Sequence, residues 1–217
     1  MESTLINIIN QSLVNAYSEI SKLDANILNI DGMSGKKMRH FLNNLCSQMD
    51  DTRYLEIGLW KGSTVCSAMF NNNAFIYCID NFSTFEGPKE EFLKNFNYAM
   101  GKNNATFINN DCFSIDISLF PKFNIYFFDG HHTYEDQFKA IEYFLPCLDD
   151  CFILIIDDWN WHDVRSGTLD SINKANLTQI YTREIRTTFD DTHVIGGTQE
   201  DKDWHNGICI FVLKKNL

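Results

Sequence analysis

The chain has 217 residues, 44% of them apolar and only three prolines, enough for one well-packed α/β domain and not for two. Its 29 acidic against 18 basic residues leave a formal charge of −11, a field that repels a phosphate backbone and excludes nucleic acid as the expected partner. No apolar run approaches the roughly 20 residues of a spanning helix, and Met1–Ile9 carries Glu2 with no basic segment before its apolar residues, so neither a membrane span nor a signal peptide is expected.

Apolar residues recur at helical spacing over residues 3–23 (Leu5, Ile8, Ile9, Leu13) and 34–49 (Met38, Phe41, Leu42, Leu45), separated by an Asp31-Gly32 turn signal. Two helices are therefore expected ahead of the sheet, a cap over residues 1–50 belonging to the same domain as a core over 51–217. Lys36, Lys37 and Arg39 form the densest basic group and read as a solvated helix face. From Arg53 onward short apolar runs alternate with amphipathic segments: Tyr54–Ile57, Phe75–Ile79, Ala105–Ile108, Asn124–Phe128 and Cys151–Ile156. Five strands alternating with helices imply a doubly wound parallel sheet covered on both faces. Two further runs, Ile180–Ile185 and Gly207–Leu213, flank a polar, glycine-containing stretch without a helical pattern, so they are expected to pair antiparallel and end the sheet that way. The seven cysteines are odd in number, sit mostly in apolar runs and form no C-x-x-C pair; they read as buried thiols of a reducing, cytoplasmic protein.

The segment Glu56-Ile-Gly58-Leu-Trp-Lys-Gly62-Ser63-Thr64 places two glycines where a buried strand turns into a helix. Glycine there either lets a ligand approach the backbone or merely makes a tight turn, and Ser63 and Thr64 can cap the helix or donate to a ligand. Two carboxylates favour the ligand. Glu56 lies inside an apolar strand, which requires a donor or a cation such as an ammonium group, and Asp80 ends the second strand, where a carboxylate can accept both hydroxyls of a ribose. A nicotinamide dinucleotide is the rival, but Trp60 stands where its G-x-G-x-x-G fingerprint needs a second glycine, and no G-x-x-x-x-G-K-[ST] loop occurs.

Asp129 follows the fourth strand and Asp157 with Asp158 the fifth; on neighbouring strands about 4.8 Å apart, three carboxylates converge at the carboxyl edge of the sheet. A hard divalent cation with oxygen ligands, Mg²⁺ foremost, would satisfy all three; the alternative is that Asp129 starts a turn and one of the pair caps the helix after Trp161. His132 is placed to take a proton near that cluster, or else bonds loop backbone. Trp159, Trp161 and His162 either wall a pocket or pack a loop.

These motifs (E-x-G-x-x-x-G-S-T at 56–64, I-D at 79–80, N-D at 110–111, F-D-G-H-H-T-Y-E at 128–135, I-I-D-D-W at 155–159) resemble those of the class I S-adenosylmethionine (SAM)-dependent methyltransferases. The nearest resemblance is to small-molecule O-methyltransferases of the macrolide-sugar and cephalosporin-pathway type, over roughly residues 34–214. It implies a Rossmann-like core with Glu56 and Gly58 holding the amino-acid end of the cofactor, Asp80 the ribose, Asp111 and Cys112 the adenine edge, and Phe82 stacking on the ring or packing the sheet edge. It also implies Met33 and Ser34 folding over the cofactor, a metal at Asp129, Asp157 and Asp158, and methyl transfer to a small-molecule hydroxyl. Relatives often carry Glu-Asp where this chain has Asp157-Asp158. The competing expectations are an NAD-dependent oxidoreductase and a catalytically inactive cofactor-binding scaffold; the amphipathic N-terminal helices make a homo-oligomer conceivable.

Overall fold

The computed structural model describes residues 2–216. Seven strands form one sheet in the order β3-β2-β1-β4-β5-β7-β6: β1 Arg53–Ile57, β2 Phe75–Ile79, β3 Asn104–Ile108, β4 Phe123–Phe128, β5 Leu148–Asp157, β6 Leu177–Ile185 and β7 Ile208–Lys215. All pairings among β1 to β5 are parallel, and β7 runs antiparallel to both β5 and β6. The expected seven runs are therefore the seven strands, with the reversal confined to β7.

Period-two alternation divides the apolar residues between two faces. Ile125 and Phe127, Ile153 and Ile155, and Ile208 and Ile210 join one core, and the intervening Tyr126 and Phe128, Leu154 and Ile156, and Cys209 and Phe211 join the other. The first core is covered by α1 (Glu2–Tyr17), α3 (Lys36–Gln48), α4 (Ser63–Met69) and α5 (Lys89–Ala99), the second by α6 (Tyr134–Phe144) and α7 (His162–Lys174). No described helix is long and apolar enough to cross a membrane. All seven cysteines are free, and six of them are buried.

The N-terminal region departs from expectation. The first helix stops at Tyr17, not at residue 23, and a short α2 (Ala25–Leu28), capped by the Asp24 side chain on Ile27 N–H at 2.9 Å, makes three helices ahead of the sheet. The stop is a Schellman arrangement: Ile20 N–H reaches Asn15 O and Glu19 N–H reaches Ala16 O, with Glu19 left-handed at φ 53°. Because glutamate stands where glycine usually does, the sequence carried no stop signal. Arg39 is no part of a solvated face; it is buried and donates to the carbonyls of Ile27, Leu28, Ile30 and Ser34, tying the loop down. Lys37 pairs with Asp203 at 2.5 Å. A further helix, α8 (Gln199–Trp204), lies in the β6–β7 connection, where none was expected; its six residues are too few for a visible period.

The strand ends are tied together at Gly58. Its N–H bonds Ile79 O on β2 at 3.0 Å, while Asp129 N–H bonds Ile57 O at 2.8 Å. Gly58 has φ 86°, and a Cβ there would fall 1.8 Å from the carbonyl oxygen of Asp129. The glycine is needed because two strand ends meet.

Two stability measurements follow. Glu19→Gly relieves a left-handed L-residue at an exposed helix end and is expected to raise unfolding free energy by about 0.5–1 kcal/mol in a urea titration; a decrease would refute the C-cap account. Gly58→Ala combines backbone strain with a direct clash and is expected to lower it by about 3 kcal/mol or more; a loss under about 1 kcal/mol would show that β1 and β4 can separate there.

Candidate active site

The carboxyl ends of β1, β2, β4 and β5 carry the residues singled out in the sequence. Glu56 is fully buried, with Oε1 accepting from Thr64 Oγ1 at 2.5 Å and Oε2 accepting from the Tyr54 hydroxyl. Burial pushes its carboxyl up to about 8, against the pull of those two hydroxyls. The donors that an isolated carboxylate in an apolar strand requires are thus supplied from within the chain. Ser63 and Thr64 are both engaged, Thr64 with Glu56 and Ser63 with Ser34 through an Oγ–Oγ contact of 2.8 Å. Gly62, left-handed at φ 84°, is the N-cap of α4, and a Cβ on it would stand 3.0 Å from the Phe92 ring.

Asp80 organises the glycine loop. Its Oδ2 accepts from the N–H of Leu59 at 2.7 Å and of Trp60 at 3.1 Å, and its Oδ1 from Phe82 N–H at 2.6 Å. It remains partly exposed, and two carboxylate oxygens offer about four acceptor positions, so one is left for an incoming hydroxyl. Phe82 packs between Phe92 and Phe107, with ring centroids 5.5 and 5.8 Å away. Asp111 caps the single turn Cys112–Ser114 by accepting from Phe113 N–H; Cys112 is half-buried, its thiol pushed up to about 12 by burial and by Asp111.

The second cluster faces this loop. Side-chain ligand atoms of Asp129, His132 and Asp158 all lie within 4.8 Å of one another. His132 Nε2 is 2.6 Å from Asp158 Oδ2 and 3.9 Å from Asp129 Oδ1. Burial opposes protonation of His132, but the two carboxylates outweigh it and hold the imidazole well above its ordinary value. Burial likewise opposes ionisation of Asp158, yet His132 and Asn206 keep it below the usual range. Asp157 has no such relief. It is buried, its Oδ1 finds no hydrogen-bond partner among the described residues, and burial with the charges of Asp129 and Asp158 drives its carboxyl far up. A buried, orphaned carboxylate oxygen beside two others is the environment that a hard cation relieves, so this residue set fits a divalent metal.

Neither Asp157 nor Asp158 caps the following helix; α7 begins after Trp161 without a side-chain cap. Thr133 caps α6, accepting from Asp136 N–H at 3.1 Å. Trp159 is wholly buried against Phe211, whereas Trp161 stands edge-on between His132 and His193, at 4.8 and 4.5 Å, and His162 is exposed. Two residues were not anticipated. Buried Asn206 donates to Asp158 Oδ1 at 2.7 Å, and its amide contacts His193 at 3.1 Å. The only sequence trace of Asn206 was an Asn-Gly pair ahead of the last strand, which also reads as an ordinary turn.

Residues 55–159 match a family model described as a methyltransferase domain. No curated protein matches the chain by sequence. Among solved structures it resembles the O-methyltransferase from Bacillus cereus in complex with S-adenosylhomocysteine (SAH), at TM-score 0.55 and 14% identity over 98% of this chain and 91% of that one. It also resembles TomG from Streptomyces achromogenes, an O-methyltransferase of tomaymycin synthesis solved with SAM (0.58, 12%, 93% and 96%). TrmN from Thermus thermophilus matches at 0.59 and 14% over 88% of this chain, which spans only 52% of that protein. At such identities the structures speak for the fold, and the family model for the domain. Residues 55–159, just under half of the chain, thus match a methyltransferase domain, and the seven-stranded sheet has the Rossmann-like fold of the solved methyltransferases it resembles.

Proposed function

We propose that the chain transfers the methyl group of SAM to a hydroxyl oxygen of a small molecule with the help of a divalent cation. The observation that carries this is the meeting of Asp129, His132 and Asp158 within 4.8 Å, beside the glycine loop that Asp80 orders. A cofactor-binding scaffold without turnover has no physical need to bury Asp157 against like charges. In the reaction the acceptor oxygen attacks the sulfonium methyl carbon; an O–C bond forms, the C–S bond breaks with its electrons moving to sulfur, and the acceptor's proton leaves to a base. The products are a methyl ether and SAH.

The roles of the chain's own residues follow from their positions. Asp80 keeps one acceptor position for the ribose, and its three backbone bonds fix the loop before cofactor arrives, which lowers the ordering cost of binding. Glu56 holds Thr64 at the first turn of α4 and so sets the loop from below. Asp111 and Cys112 stand at the end of β3, where the adenine edge is expected. Asp129, Asp157 and Asp158 would hold the cation, whose chemistry is a lowered pKa for a bound hydroxyl. The proton on His132 balances the carboxylates beside it. A cation sharing their charge would free Nε2 to receive the acceptor's proton. Trp161 presses on one side of His132 and limits its rotation.

Calorimetry tests the cofactor assignment. SAH is expected to bind saturably and NAD(H) not to bind; Asp80→Asn, which keeps size and loses charge, is expected to weaken SAH about tenfold or more. Binding of NAD(H) alone, or of neither, overturns the proposal. For the metal, Mn²⁺ followed by electron paramagnetic resonance is expected to bind the wild type. Asp129→Ala should weaken it about tenfold or more while leaving SAH affinity within about twofold. Equal Mn²⁺ binding by both proteins would remove Asp129 from the site.

A further inference from the structure

Between the loop of residues 28–36 and α8 lies a cavity of about 280 Å³. In a chain of net charge −11 three cations, Lys36, Arg39 and Lys202, border it against one carboxylate, Asp201. Arg39 is buried and, among the described residues, has no carboxylate partner; its bonds go to neutral oxygens, and Nη2 has only a 3.4 Å approach to Gly32 O. Burial pulls its guanidinium down to about 10, against the opposing charge of Asp31, which itself pairs with Lys61. Lys36 and Lys202 likewise form no ion pair among the described residues. The lone carboxylate of the lining, Asp201, is engaged by Gly197 N–H at 2.7 Å and His205 Nδ1 at 2.8 Å.

The cavity borders both halves of the proposed active site. Ser34 in its wall contacts Ser63 at the start of α4, and His205 in its opposite wall directly precedes Asn206, whose amide donates to Asp158 Oδ1 at 2.7 Å. We propose that this cavity binds a compact anionic group, a carboxylate or phosphate, carried by the methyl acceptor, so that the acceptor is an acidic small molecule. The anion site stands on the cavity's own residues; its assignment to an acceptor rests on the methyltransferase reading above. The other source of the same chemistry is the carboxylate tail of the cofactor.

Inorganic phosphate titrated into the full chain, with and without saturating SAH, distinguishes them, with the double variant Lys36→Ala, Lys202→Ala as the comparison. Both lysines are exposed, so the core is untouched, whereas loss of Arg39 would release the loop it ties. The expected result is saturable phosphate binding that persists with SAH bound and falls about tenfold or more in the variant, with SAH affinity unchanged. No saturable binding, or equal binding by both proteins, overturns the anion site. Competition between phosphate and SAH, with SAH weakened in the variant, overturns the acceptor assignment and gives the cavity to the cofactor tail. Failure of the wild type to bind SAH at all refutes the methyltransferase reading, and the phosphate arm without SAH still reports on the cavity.

Discussion

The carbonyl oxygen of Asp129 occupies the place where a side chain at position 58 would begin, 1.8 Å from an ideal Cβ. The ends of β1 and β4 therefore approach as closely as two backbones can, and the loop that would hold a cofactor is pressed against the strand end that carries the first carboxylate of the acidic cluster. The bonds from Gly58 to Ile79 and from Asp129 to Ile57 extend this contact across three strands. Each of those strands is buried on both faces by aliphatic and aromatic side chains, so the ends are held by a close-packed core and not by the loops themselves. A methyl transfer requires reacting atoms within a few tenths of an ångström of their productive placement, and side chains on packed strand ends meet that demand better than side chains on loops.

Charge is the second constraint. Three carboxylates at 129, 157 and 158 share one partly desolvated spot, where like charges raise one another's pKa. His132 and Asn206 stabilise Asp158 in its ionised form, and Asp157 is left with an oxygen that bonds nothing. The cavity under α8 shows the same physics with the sign reversed: a buried guanidinium whose hydrogen bonds go to carbonyl and hydroxyl oxygens, with two lysines beside it.

Much of this was legible in the chain, because the signals involved are local. Apolar runs of strand length set the seven strands, and the glycine spacing after Ile57 located the strand-to-helix turn. Asp80, Asp129, Asp157 and Asp158 were traceable to strand ends by counting alone. Local signals also misled where chemistry was atypical: Glu19 adopts the left-handed conformation usually reserved for glycine, which hid the end of α1, and Arg39 shares a basic stretch with two lysines yet turns inward.

What the sequence by itself determined was the succession of strands along the chain and the set of carboxylates at their ends, since periodicity and strand ends depend only on neighbours along the chain. Only the tertiary structure decided which of those groups meet. The 2.6 Å approach of His132 to Asp158, the bond from Asn206 across 48 residues to the same carboxylate, the enclosure of Glu56 by Tyr54 and Thr64, and the gathering of Lys36, Arg39 and Lys202 around one cavity each depend on how strands and helices pack. Such contacts leave no periodic trace, because a side chain's partner across space is set by the shape of the core between them.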